Sequence, residues 1–128
     1  MESHKCIPGA QFISYLNGRE LINKKPIDWA KRVEDLGAGE LILNSIDNDG
    51  MMNGYELEIL GQISKFCKLP IIISGGAGDY SHMKDAIEYG ASAVSAASIF
   101  HFTEKTPEEA KNYLKKNNIP IRKSIKLK

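Results

Sequence analysis

Short apolar runs alternate along the chain with longer stretches in which apolar residues recur every three or four positions. Leu41-Ile42-Leu43 and Ile71-Ile72-Ile73 are too short for helices and apolar on both faces, as are strands of a parallel sheet covered by helices. A third strand is expected over 93–97. Pro26 followed by Ile27, Trp29, Ala30, Val33 and Leu36 predicts a helix that packs one face inward and stops at Gly37. Leu57, Leu60, Ile63 and Phe66 predict a second helix, and Met83, Ala86 and Ile87 a third over about 81–89. Thr106-Pro107-Glu108-Glu109 opens a fourth, with capping-box spacing between Thr106 and Glu109. Upstream, residues 11–16 alternate weakly and meet Asn17-Gly18, with Leu21-Ile22 beyond, which predicts a β-hairpin or extended flap.

Strands alternating with helices through short connections imply a parallel sheet. An internal echo sharpens this: Gly37-Ala38 before one strand matches Gly90-Ala91 before another, and Ser45-Ile46 matches Ser98-Ile99 after them. Repeated βα units fit a (β/α)8 barrel better than a doubly wound sheet. The division expected is a hairpin segment over 1–25, a partial (β/α) barrel over 26–122, and a basic tail over 123–128.

In a barrel the functional groups lie at the C-terminal strand ends. Here those ends are residues 44–49, the run Ser74-Gly75-Gly76-Ala77-Gly78, and Ala97-Ser98. The glycines admit two readings: a loop whose bare backbone N–H groups cradle a phosphate, or a tight strand-to-helix turn that needs glycine for geometry alone. Two such loops after neighbouring strands favour the phosphate.

At 128 residues and 42% hydrophobic, the chain can bury a core. Seventeen basic against sixteen acidic residues, net charge +1, argue against nucleic acid or membrane as the main partner. No signal peptide or bilayer-length apolar span is read, which points to the cytoplasm. Cys6 and Cys67 lack metal-type spacing, and Asp47 with Asp49 lacks the third acidic position and terminal Glu of a calcium loop, so no metal is expected. His82 and His101 are read as structural.

Taken together, GAGELILNSIDNDGMMNGYELE, LPIIISGGAGDYSHM and GASAVSAASIFHFTEKTPEEAKNYLKKNNIPIR resemble the C-terminal half of the cyclase subunit of imidazole glycerol phosphate synthase. The resemblance implies a (β/α)8 barrel that takes ammonia from a glutaminase partner and joins it to a bis-phosphorylated ribulosyl substrate. The products are imidazole glycerol phosphate and an aminoimidazole carboxamide ribotide, and no cofactor is involved. It makes the three strands resemble barrel strands six, seven and eight. By the same resemblance, Gly76, Ala97 and Ser98 donate to one substrate phosphate, with Ser74 and Gly75 beside them. Asp49 matches a carboxylate near the sugar hydroxyls and is the candidate catalytic residue. Glu40 resembles a charged member of the ammonia gate.

The departures are equally specific. The acid–base pair that the resemblance implies stands on the first and fifth barrel strands, and neither segment is recognisable here. Residues 1–9 contain no apolar strand and no Asp, so no strand is expected there and the isolated chain should not turn over. Asn44 replaces a more usual Thr, and Met51-Met52 a pair that commonly includes Lys. These changes resemble a paralogous branch that adds ammonia-derived nitrogen to surface sugars. A non-catalytic phosphate-binding half-barrel is a further alternative. Three parallel strands would leave an edge on each side, so self-association or capture by a complementary half-barrel is expected.

Overall fold

The computed structural model describes residues 24–123 in full and, as backbone, the strands at 2–5, 12–16 and 20–22. Asn17-Gly18, Cys6 and the tail beyond Lys123 lie outside the described residues. Three strands precede the first helix: β1 (Glu2–Lys5), β2 (Phe12–Leu16) and β3 (Glu20–Ile22). There follow α1 (Pro26–Asp35), β4 (Leu41–Ser45), α2 (Leu57–Ser64), β5 (Ile71–Ser74), α3 (Tyr80–Glu88), β6 (Ala93–Val94), α4 (Ser98–His101) and α5 (Pro107–Lys116). They form one sheet in the order β3-β2-β1-β4-β5-β6. β4, β5 and β6 are parallel neighbours, with Leu41 opposite Ile71 and Ile72 opposite Ala93. β2 pairs antiparallel with β3, as the hairpin pattern predicts.

The expectation that residues 1–9 hold no strand is corrected by β1. It runs parallel to the end of β4, with Glu2 opposite Asn44 and Ser3 opposite Ser45, and antiparallel to β2. The run Glu-Ser-His-Lys has no apolar signature because its position follows from main-chain pairing at both edges, which any residue except proline can supply. One edge of the parallel set is therefore partly paired, and the register to β4 reaches only its last two residues. The third expected strand also shortens, from 93–97 to Ala93–Val94, although Ser95 still donates its N–H to the Ile73 carbonyl at 2.8 Å.

Helices cover one face of the sheet only. Leu41, Leu43, Ile71 and Ile73 point into a core with Ala30, Ile59, Leu60, Ile63, Met83, Ala86 and Ile99. Each such fully buried aliphatic is worth about 1.5–3 kcal/mol. On the opposite face Ile42 is 53% exposed, whereas the apolar triplets predict cover on both faces. Two inward expectations also fail. Leu36 is exposed at the end of α1, and Phe66 lies past the end of α2, where the turn back to the Ile63 carbonyl swings Cys67 inward and the ring outward.

Three helices end alike. After α1, Gly37 and Ala38 donate to the carbonyls of Glu34 and Val33; after α3, Gly90 and Ala91 donate to those of Ile87 and Ala86. After α5, Asn118 and Ile119 donate to Lys115 and Leu114. This is the Schellman pattern, with Gly37, Gly90 and Asn118 at positive φ. The Gly-Ala half of the internal echo is thus a repeated helix stop. Its Ser-Ile half is not a structural repeat, since Ser45 ends a strand and Ser98 begins a helix.

Candidate functional site

The C-terminal ends of β4, β5 and β6 meet around a cavity of about 40 Å³, lined by Asp49, residues 74–77 and residues 95–98. A space of that size holds about three waters or one tetrahedral oxyanion. Six of the expected site residues, Asp49, Ser74, Gly75, Gly76, Ala97 and Ser98, converge there. Asn44 does not line it; its amide oxygen lies behind Gly75. Glu40 is exposed at the opposite end of the sheet, immediately before β4.

The segment between β4 and α2 builds the floor. Asp49 donates its N–H to the Ser45 carbonyl at 3.0 Å, and the buried Ser45 hydroxyl accepts from the Asn48 N–H. Gly54 then donates to the Gly76 carbonyl at 2.8 Å. The two backbones touch so closely that a Cβ on Gly76 would lie 2.0 Å from the Gly54 carbonyl oxygen, and one on Gly78 would lie 1.9 Å from that of Met52. The glycine run is therefore required, at least in part, by protein packed against it.

The other side of the run faces the cavity. Gly76 and Ala77 are buried, and among the described residues their N–H groups meet no acceptor; nor do those of Ala97 and Ser98. Buried backbone donors are nearly always paired with protein, water or ligand, so those of Gly76 and Ala77 mark a place where an acceptor is expected, with Ala97 and Ser98 across the cavity from them. The hydroxyls of Ser74 and Ser98 also have no partner among the described residues. Among the described residues, no cation lines the cavity. The nearby Lys105 ammonium is committed to the Asp79 carboxylate and to the Gly78 carbonyl, 3.2 Å away.

Asp79 caps α3, and its N–H and that of Gly78 both donate to Nδ1 of His82 at 3.2 Å. His82 is thus a capping residue, in keeping with its structural reading. Hydrogen bonds from Lys105 and then Ser81 hold the Asp79 carboxyl well below the usual carboxylate range. Tyr80 accepts from the Thr106 N–H at 2.9 Å and donates to Glu109 at 2.8 Å, so the starts of α3 and α5 are tied together. Among the described residues, no group of His, Cys, Asp and Glu is placed to hold a metal ion, and no helix is long and apolar enough to cross a membrane.

Residues 6–106 match the family described as histidine biosynthesis protein. The chain belongs to that family. It is 52% identical over 94 residues to the imidazole glycerol phosphate synthase subunit HisF of Endomicrobium trichonymphae, covering 73% of this chain and 36% of that protein. It is 45% identical over 116 residues to the HisF subunit of Chlorobium phaeobacteroides (strain BS1), covering 89% of this chain and 46% of that protein. The chain thus spans less than half the length of these relatives. Among solved structures, the Amycolatopsis orientalis BexX/CysO complex contains a chain of similar fold, with TM-score 0.57, 19% identity, and coverage of 77% of this chain and 44% of that one. The α/β architecture, with β4, β5 and β6 parallel and flanked by helices, is consistent with a partial barrel.

Tyr55, missed at the level of sequence, is the further residue that shapes the site. It is buried, and its hydroxyl donates to the Ser95 carbonyl at 2.9 Å. Burial pushes its phenol above the ordinary tyrosine value, keeping it a neutral donor. Its sole sequence signal is an aromatic placed immediately after Gly54.

Proposed function

We propose that the cavity binds one phosphate of a phosphorylated sugar, and that the chain contributes the ends of barrel strands six, seven and eight to an imidazole glycerol phosphate synthase cyclase site. The observation that carries this reading is that four residues lining an oxyanion-sized space, two of them buried, have backbone N–H groups with no acceptor among the described residues. Hydrogen bonds to a charged acceptor are worth about 1.5–3 kcal/mol each. Four of them total roughly 6–12 kcal/mol; set against an association cost of at least about 4 kcal/mol, they are compatible with a millimolar affinity for inorganic phosphate. Among the described residues no cation lines the cavity, so the backbone supplies most of the attraction. Asp49 sits at the rim as an acceptor for a sugar hydroxyl.

The HisF relatives support the cyclase reading. Glutaminase partnership, with Glu40 in the ammonia gate at the far end of the sheet, belongs to the same proposal. So does the absence of turnover by this chain alone: Asp49 is the one carboxylate lining the cavity among the described residues, while the chemistry needs an acid and a base. The outer edge of β6 has no strand partner among the described residues and borders a groove of about 860 Å³ walled by Val94, Phe100 and Leu114, where complementary barrel strands would dock.

Calorimetric titration of the 128-residue chain with inorganic phosphate tests the site. Saturable binding, weakened about tenfold or more by Ser98→Ala, is expected. No binding up to roughly 30 mM, well past the affinity estimated above, would remove the reading. Ammonia-dependent turnover on mixing with a chain bearing the complementary strands separates the cyclase from a non-catalytic phosphate-binding module.

A further inference from the structure

Residues 95–98 form one wall of the cavity and are not held by regular structure. β6 ends at Val94, Ala97 has an irregular backbone (φ −129°, ψ −65°), and α4 begins only at Ser98. The wall is anchored at Ser95, whose N–H goes to the Ile73 carbonyl at 2.8 Å and whose carbonyl accepts from the Tyr55 hydroxyl at 2.9 Å. The residue before Tyr55 grips the opposite wall through the Gly54 N–H to Gly76 carbonyl bond at 2.8 Å. Gly54-Tyr55 is therefore a bracket with one end on each wall.

We propose that Tyr55 is a positioning residue for anion binding: its hydroxyl, spanning from the floor to Ser95, sets the separation between residues 76–77 and residues 97–98. This rests on the phosphate reading above. A ring held in the core and a hydroxyl delivered to a main-chain carbonyl leave the wall little freedom to shift, since the carbonyl has no side chain that could rotate away. Tyr55→Phe keeps the packed ring and deletes that one contact, leaving the Ser95 carbonyl without its donor.

The test measures affinity of the native state for inorganic phosphate by titration calorimetry, under conditions where each variant is fully folded. Amide hydrogen exchange is followed in parallel. Tyr55→Phe should weaken phosphate binding about two- to tenfold, the range one neutral hydrogen bond supplies. It should accelerate exchange at the amides of Ser95 and Phe100, which donate to the Ile73 and Ala97 carbonyls, and leave that of Gly54, which donates to the Gly76 carbonyl, unchanged. Tyr80→Phe, a hydroxyl deletion outside the cavity, should leave the affinity alone. Wild-type binding with an unaltered affinity in Tyr55→Phe would overturn the positioning role while leaving the phosphate site standing. Absence of binding by the wild-type chain removes the phosphate site itself and the inference with it. Loss of the fold in Tyr55→Phe, or exchange accelerated equally across both walls, would mark Tyr55 as a general core residue and overturn the role.

Discussion

Replacing Gly76 with alanine should destabilise the fold by a few kcal/mol through a contact on the side away from the cavity. Its φ of +111° lies in a region that costs a non-glycine residue about 1–3 kcal/mol. The added Cβ would sit 2.0 Å from the Gly54 carbonyl oxygen, so one of the two loops must retreat. That movement breaks the 2.8 Å bond from Gly54 to Gly76, worth about 1 kcal/mol. The combined loss is roughly 2–4 kcal/mol, a large share of the 5–15 kcal/mol typical of a domain. Two other glycines separate the contributions. Gly37 has φ +86°, but nothing lies within 4 Å of where its Cβ would stand, so Gly37→Ala should cost only the conformational part, about 1–2 kcal/mol. Gly39 has neither constraint, and Gly39→Ala should be neutral or gain up to about 1 kcal/mol by stiffening the unfolded chain. Urea unfolding followed by circular dichroism ranks the three. A Gly76→Ala variant within about 1 kcal/mol of wild type, no more than the conformational part alone, would refute the claim that the Gly54 carbonyl dictates glycine there.

Three further outcomes are expected. The Asp79 carboxyl is depressed in the fold, so its stabilisation is complete above the ordinary carboxylate value of about 4 and is lost as pH falls below it; Lys105→Met should cost at most about 1 kcal/mol at pH 7, because the pair is half-exposed and screened, and the deficit should shrink in urea titrations near pH 2. Sedimentation equilibrium at tens of micromolar, an order-of-magnitude range for weak association, should show self-association through the open sheet face and β6 edge, reduced in Ile42→Glu; a wild-type monomer that unfolds cooperatively would count against it. Thr106→Ala should lower stability by about 1 kcal/mol, because its hydroxyl accepts the Glu109 N–H while Glu109 returns a bond to the Thr106 N–H; no change in the denaturation midpoint would mean that the cap is idle.

Patterns that act within a few residues were legible in the sequence. Pro26 and Thr106-Pro107 mark helix starts, Gly37 marks a stop, and two aliphatic triplets mark β4 and β5, because each of these signals is local and its physics is complete within one turn or one strand. The site's partners were legible for the same reason: they follow consecutive parallel strands, whose ends must lie together. What escaped notice depends on distant partners. β1 is defined by pairing to β2 and β4 rather than by its own side chains. α4 is a single turn, below the length at which periodicity can be read. The Asp79 cap uses His82 where Glu or Gln would announce it, and Tyr55 reaches Ser95 forty residues away. Phe66 fitted the helical spacing, yet the helix had already ended at Ser64.

The glycine run also shows why the two readings of such a loop need not compete. At Gly76 the side a Cβ would occupy is filled by the Gly54 carbonyl, while the N–H is left without a partner among the described residues beside the cavity. Close packing behind the loop is what keeps the donors fixed in front of it, and a donor held by packing loses little freedom when an anion arrives. Glycine substitutions therefore disturb fold and ligand together and cannot reveal which of the two the residue serves. Hydroxyl deletions can. Ser98→Ala removes a group with no protein partner among the described residues, so its effect on native-state stability should be within about 0.5 kcal/mol while its effect on phosphate affinity is large. If Ser98→Ala instead destabilised the ligand-free chain as strongly as it weakened binding, its hydroxyl would be part of the scaffold, and the cavity would lose a side-chain donor that distinguishes a phosphate site from a well-packed turn.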